Sequence, residues 1–405
     1  MESISPSDLA LEILNDCLRG SAPPTDLLDA LLRSAERPEG SRALFNIVVE
    51  RLGDLFEPAL CDAYTNLFSR AIEFVYPELP SEDLVERYRR IRMPRRFTGD
   101  LDRVHDVFVL SRITLGADVA VTSVALDAAK RRFPKARIHF VGPRKSWELF
   151  AADPRLSHAN VDYGRTATLP GRLAVWPELK SLLDRPGAIV IDPDSRLTQL
   201  GLLPVCAEEN YYFFESRGYG GYGLESITEL TSRWLAETFD APDAGPYIAT
   251  PCEPVPADVT ISLGVGENPA KRVADPFEQE LLRAVAATGA RILIDKGAGG
   301  EEQQRVERAI AAAGGRIETH HGAFAPFAAS IAASRLYIGY DSAGQHVAAA
   351  SKTPLVTVFA GAVSDRMFAR WRPTGAGPIR IIRVTEQPTE RILAEALEAV
   401  SQLST

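Results

Sequence analysis

Chemistry is concentrated in Asp341-Ser342-Ala343-Gly344-Gln345-His346. This stretch follows the apolar run Leu336–Ile338, which predicts a strand, and it opens a helix over about Gln345–Ala350. Small residues at such a turn let backbone N–H groups come close to a ligand, and the helix N-terminus favours an anion such as a diphosphate. The alternative is an ordinary strand-to-helix turn capped by Asp341 or Ser342. Lys271 and Arg272 stand before a predicted helix over Phe277–Ala287, either as fixed positive charge for a phosphate or as solvated surface charge. Asp118 reads as a residue at a strand end, or else merely as the cap of a helix starting near Val119.

Other patterns carry less. Gly218-Tyr-Gly220-Gly-Tyr-Gly223 satisfies GxGxxG, but no strand ending in an acidic residue follows at the distance that dinucleotide binding needs. It predicts a flexible, tyrosine-bearing loop near an acceptor. Asp192-Pro-Asp194 imitates a metal-binding DxD and is expected to be a strand-end turn. Arg87–Arg96 packs six arginines into ten residues; a solvated connector is the expected reading, and docking to anionic lipid or a phosphorylated acceptor the other. His320-His321 has no spaced third ligand, so no metal site is expected. GxxxxGK[ST], GxSxG and HExxH do not occur in the sequence.

These residues must be positioned by two kinds of element. Up to about residue 98 the apolar spacing is helical, as in Leu9, Ile13, Leu14 and Leu18. From residue 104 short β-branched runs alternate with amphipathic helices, which means βαβ units and parallel sheets. Strands are expected at Val104–Leu110, Arg137–Val141, Ala188–Ile191 and Tyr211–Phe214. After the proline-rich stretch Pro242–Pro256 they resume at Val259–Leu263, Arg291–Ile294, Arg316–Glu318, Leu336–Ile338, Leu355–Phe359 and Ile379–Val384. The expected organisation is a helical extension (1–98), two Rossmann-like domains (99–250 and 251–380) facing across a cleft, and a closing strand and helix (381–405).

Composition sets outer bounds. The 405 residues carry 45 basic and 54 acidic side chains, a net charge of −9, which argues against binding nucleic acid by phosphate neutralisation. No apolar stretch approaches the ~20 residues of a membrane span. The N-terminus is polar and acidic, unlike a secretory signal, and the four cysteines are scattered without a CxxC pair. A cytoplasmic protein is expected.

Four segments in order resemble the bacterial heptosyltransferase family, inverting GT-B glycosyltransferases (family 9) that use ADP-heptose in lipopolysaccharide core assembly. The first runs from Arg112 through Gly116, Ala117, Asp118 and Thr122 into Phe133-Pro134 and Ile138. The second is Ser262-Leu-Gly264 through Lys271-Arg272, and the third Gly297-Ala298-Gly-Gly-Glu301-Glu302. The fourth spans Tyr337 to Gly361, including Asp341-Ser342-Ala343-Gly344, His346 and Thr353-Pro354. Two signature glycines are displaced by one position, with Gly116 ahead of Ala117 and Gly344 behind Ala343. An alanine cannot easily adopt positive φ, so turns requiring it would be rebuilt.

The resemblance implies roles. Asp118 would be the general base that takes the acceptor hydroxyl proton. Lys271 and Arg272 would steady the departing diphosphate, beside the Gly264 turn. Glu301 would hold the donor's ribose, and Asp341 the donor-sugar hydroxyls. Ser342, Ala343 and Gly344 would give backbone N–H groups to the diphosphate. His346 would support them from behind, or be a structural histidine. The donor would be a nucleotide sugar, ADP-linked by preference, with no metal or other cofactor. The acceptor would be a glycan, glycolipid or protein, met by loops within 146–170 and 196–224. The same scaffold also serves sugar-nucleotide epimerases and hydrolases, and a binding-only descendant is the third alternative.

Overall fold

The computed structural model of the protein describes residues 4–266, 268–297 and 299–403; Glu267 and Ala298, inside two of the glycine segments above, lie outside the described residues. The chain divides into two compact units.

The first unit takes residues up to Ile113 with 125–144 and 155–244. Its helices begin with Pro6–Leu18, where Ser5 caps the Asp8 amide and Pro6 occupies the first turn. Thr25–Ser34, Pro58–Val75 and Ser81–Ile91 follow. The last has Glu82 and Asp83 in its first turn and Arg89 and Arg90 in its last, the polarity the helix dipole favours. The sheet comprises β1 (Asp106–Leu110), β2 (Arg137–Gly142), β3 (Leu156–Asn160), β4 (Ala188–Asp192) and β5 (Tyr211–Phe213). All are parallel, in the order β3-β2-β1-β4-β5. β3 is not foreseen from sequence: Leu-Ser-His-Ala-Asn is an edge strand, where half-exposed polar residues are tolerated.

The N-terminal helices do not form a core of their own. Leu31, Phe45, Leu67 and Phe68 share one apolar cluster with Leu110, Val190 and Phe213 of the sheet. Polar contacts join the same surfaces. Tyr64 Oη donates to the Gln199 carbonyl at 3.1 Å, and Arg87 to the Gly201 carbonyl at 2.8 Å while stacking on Tyr211. Of the six arginines only Arg87 is buried and Arg92 half-buried; Arg89, Arg90, Arg95 and Arg96 are exposed, several of them paired along the surface. Arg90 pairs with Glu208 and Glu86, and Arg92 with Asp62 and Glu215. Arg95 donates to the carbonyls of Glu208 and Glu209 and lies over Tyr212. The expected solvated connector holds for the four exposed arginines, whereas Arg87 is tied into the packed interior.

The second unit takes Thr114–Val124, Lys145–Pro154 and the chain from Gly245 onward. Its sheet comprises β6 (Val259–Ser262), β7 (Ile292–Asp295), β8 (Ile317–His320), β9 (Leu336–Tyr340), β10 (Leu355–Phe359) and β11 (Ile379–Arg383). The order is β11-β10-β9-β6-β7-β8, again all parallel. Counted from the first strand, both sheets follow the doubly wound 3-2-1-4-5 order, and the second completes it with a sixth strand. β9 and β10 are buried along their whole length, the mark of a sheet covered on both faces. The closing helix Thr389–Leu403 buries Ile392, Ala396, Ala399 and Val400 in the same core as Phe277 and Leu281.

Candidate functional site

In a doubly wound sheet the ligand crevice opens where the strand order reverses, at the carboxyl ends of the strands. In the second unit that point lies between β6 and β9. The loops leaving these strands bring together two residues seventy positions apart: Lys271 Nζ donates to Asp341 Oδ2 at 2.6 Å. Asp341 is nearly buried, whereas Lys271 keeps about a fifth of its side chain exposed (22%). A cation anchored by a carboxylate and still reachable from solvent suits a developing phosphate charge.

Ser342 precedes the helix Ala343–Ala350, so the amides of Ala343 and Gly344 lie in its first turn. The displaced glycines need no rebuilt turn, because neither Gly116 nor Gly344 has positive φ and Ala343 is helical. Close approach explains both. A β-carbon on Gly344 would stand 2.2 Å from Tyr337 Oη, and one on Gly116 would stand 3.2 Å from His346 Cδ2 and 3.3 Å from Ala343 Cα.

Those distances show that the Asp118 segment packs against the signature helix, within one compact unit. Asp118 itself is not at a strand end. It lies in a helical turn, Asp118–Thr122, fully buried, and accepts from Thr122 Oγ1 at 2.8 Å.

Glu301 and Arg272 are both expected to meet the donor. Glu301 is exposed; its neighbour Glu302 reaches back over the Gly264 turn and accepts from the Val265 amide at 3.3 Å. Successive helical residues point about 100° apart, so only one of two adjacent glutamates can face that turn. Arg272 turns away from Lys271, donating to Glu278 at 3.2 Å and Asp275 at 2.7 Å. There it joins a buried network in which Arg305 also pairs with Glu278, Tyr340 donates to Glu278 at 3.0 Å, and Arg305 reaches the Leu263 carbonyl at 2.7 Å. Arg272 thus braces the loop that carries Lys271.

His346 is fully enclosed, edge-on to Trp371. Burial pushes its pKa down to about 4; Asp341 opposes the shift and Lys271 adds to it. It is a neutral imidazole at physiological pH.

In the first unit, Asp192 and Asp194 hold no metal-like arrangement. Asp192 is buried under Thr198 Oγ1 and Tyr211 Oη, each at 2.5 Å, and the Ser195 amide at 2.7 Å. Burial raises its pKa to about 6. Asp194 accepts from Ser216 Oγ at 2.7 Å and Arg217 Nε at 3.2 Å. Among the described residues, no group of three or more His, Cys, Asp or Glu is placed to hold a metal ion.

Two parallel sheets of Rossmann order make up a GT-B fold, and the second carries a lysine, a carboxylate and helix-terminal amides at its switch point. Residues 277–390 are similar to glycosyltransferase family 9 (heptosyltransferase). The matched span contains Glu301, Glu302, Asp341–Gly344 and His346 but not Asp118, Gly264, Lys271 or Arg272.

Solved structures share the fold. A glycosyl transferase family 9 protein from Veillonella parvula superimposes with a TM-score of 0.56 at 14% identity, covering 76% of this chain and 99% of that one. E. coli heptosyltransferase WaaC with ADP gives 0.55 at 14% identity, covering 74% and 100%. E. coli ADP-heptose lps heptosyltransferase II gives 0.51 at 16% identity, covering 74% and 100%. No curated protein matches the chain. Part of this chain therefore has no counterpart in neighbours that are matched along nearly their whole length.

Proposed function

We propose that the protein is an inverting glycosyltransferase that moves a sugar from a nucleoside-diphosphate donor, ADP-linked and of heptose type by preference, to an acceptor hydroxyl. Residues 251–380, closed by 381–405, would hold the donor, and 99–250 the acceptor, a glycan, glycolipid or protein met on the cytoplasmic side. The observation that carries this reading is the Lys271–Asp341 pair at the β6/β9 switch point, beside the helix-terminal amides of a segment that matches family 9.

Lys271 supplies fixed positive charge as the sugar–phosphate bond breaks, the service a divalent metal gives other glycosyltransferases, so transfer proceeds without one. Asp341 bonds the donor-sugar hydroxyls, and Glu302 takes the ribose role first assigned to Glu301. Asp118 removes the acceptor proton as the hydroxyl attacks the anomeric carbon, inverting it. Its packing against the signature helix supports this role.

The deciding experiment incubates the protein with a panel of nucleotide sugars and candidate acceptors, with and without EDTA. Expected is EDTA-insensitive transfer with inverted product, abolished by Asp118→Asn while ADP binding persists. Donor consumption at the full rate without any acceptor would favour an epimerase or hydrolase instead. An unchanged rate in Asp118→Asn would remove Asp118 from the chemistry, and no binding of any nucleotide sugar would overturn the reading.

A further inference from the structure

One side chain of the donor signature is bonded in a way the reading above does not use. Gln345 is fully buried and has three strong or moderate partners. Its Nε2 donates to Asp341 Oδ1 at 2.5 Å and to the Trp371 carbonyl at 3.3 Å. Its Oε1 accepts from Thr357 Oγ1, on β10, at 2.8 Å. Carboxylate and carbonyl oxygens only accept, so the amide nitrogen must face Asp341 and Trp371, and the Thr357 hydroxyl must donate to the remaining oxygen. The orientation of the amide is thus settled by its partners.

The consequence falls on Asp341. An aspartate at a strand end turns about two side-chain torsions, and each of its oxygens can take either partner. Here one oxygen is held by a neutral donor anchored on β10, and only the other meets Lys271. We propose that Gln345 is a positioning residue of the donor site: the Thr357–Gln345–Asp341 relay fixes the carboxylate so that Asp341 and Lys271 meet the nucleotide sugar as one preset pair. This rests on the donor-site reading of the loop. Preset charges need no rearrangement at the moment of transfer, which is where such groups gain their effect.

A buried amide that merely fills space would respond differently to substitution. The titratable groups around it are Asp341 and Lys271 themselves, and His346, whose Nε2 lies 3.4 Å from Gln345 Nε2. Tyr337 underlies Gly344, and Asp118 sits on the segment packed against the same helix. Gln345→Glu is nearly isosteric. Protonated, it donates O–H where the amide donated N–H; ionised, it sets a second carboxylate against Asp341. Two such carboxylates share one proton and titrate as a pair.

The test uses the full chain, with its lysines dimethylated by ¹³C-formaldehyde and the Lys271 resonance assigned by its loss in Lys271→Arg. Gln345→Leu and Thr357→Val, shown folded by circular dichroism, are expected to move that resonance toward the position of exposed lysines. Thr357→Ser should leave it in place. Gln345→Glu should match the parent protein at acid pH and depart from it as pH rises, a limb absent from the parent and from Gln345→Leu. An unmoved resonance in both folded Gln345→Leu and Thr357→Val overturns the relay without reference to any ligand.

The same variants are then titrated with ADP. The relay predicts affinity at least about tenfold weaker in Gln345→Leu and unchanged in Thr357→Ser. Failure of the parent protein to bind ADP would overturn the donor reading, while the resonance still decides whether Gln345 holds the pair.

Discussion

His346 lies directly after Gln345, and its burial gives it a measurable consequence. Its folded pKa, about 4, is below the ordinary 6.5. Between those values the unfolded chain binds a proton that the folded chain does not, so stability falls as pH drops through that window and is full above it. The contribution is on the order of 3 kcal/mol between neutral pH and pH 4. Urea unfolding at pH 7 and pH 4.5 should show a shallower loss in His346→Gln than in the parent; equal slopes would mean that the imidazole is protonated in place.

Gly344 makes a second test at this scale. Its β-carbon would meet Tyr337 Oη, and Tyr337 is fully buried with no room to yield. Gly344→Ala should destabilise by about 1–3 kcal/mol, and Tyr337→Phe should restore only a small part of that loss, because ring carbons Cζ and Cε2 would still stand 2.6 and 2.8 Å from the β-carbon. Equal destabilisation in the single and double variants, followed by thermal denaturation, would mean that the contact is not with Oη. At this scale the sequence was legible where chemistry is tied to a turn, as at Asp341 and Lys271. It was not legible where the answer depends on helical phase. Glu301 and Glu302 are identical in type, and only the start of the helix at Gly300 decides which one faces Gly264.

The elements behave likewise. Apolar periodicity marks every strand of the second sheet, most plainly the central β6, β9 and β10, which are buried along their whole length. The edge strand β3 and the helix Trp176–Leu183 escaped, the first for being polar and the second for lying in a stretch with no clear breaker pattern. The role of the N-terminal helices was hidden for a different reason. Periodicity shows which face of a helix is apolar but not what that face meets, and here it meets β1, β4 and β5. Most of the arginines are the surface charge their sequence suggests; the buried Arg87 escaped because its partner, the Gly201 carbonyl, is more than a hundred residues away. A chain lacking residues 1–98 would bare Leu110, Val190 and Phe213, and it should be insoluble or unfolded by circular dichroism. A soluble, cooperatively folding fragment would instead make the helices an independent module.

For the molecule as a whole, a net charge of −9 argues against binding nucleic acid by phosphate neutralisation, yet the proposed donor is itself an anion. The two fit because attraction is needed only at one point, where Lys271 is held against Asp341 while the remaining positive charge, Arg272 and Arg305 included, is bound to Glu278. Donor affinity should therefore reside in the second unit's loops. Amide hydrogen exchange with and without saturating ADP provides the check. Protection is expected at 264–266, 268–272, 299–302 and 341–346, with β1–β5 and the helices before them unchanged. Lys271→Ala should erase the protection, and in the free protein should loosen only the Lys271–Asp341 tie, because Arg272 still braces that loop through Glu278. Protection appearing instead at 192–217 would move the nucleotide to the first unit, onto Arg217 and the amides after β4, and the assignment of donor and acceptor halves would have to be exchanged.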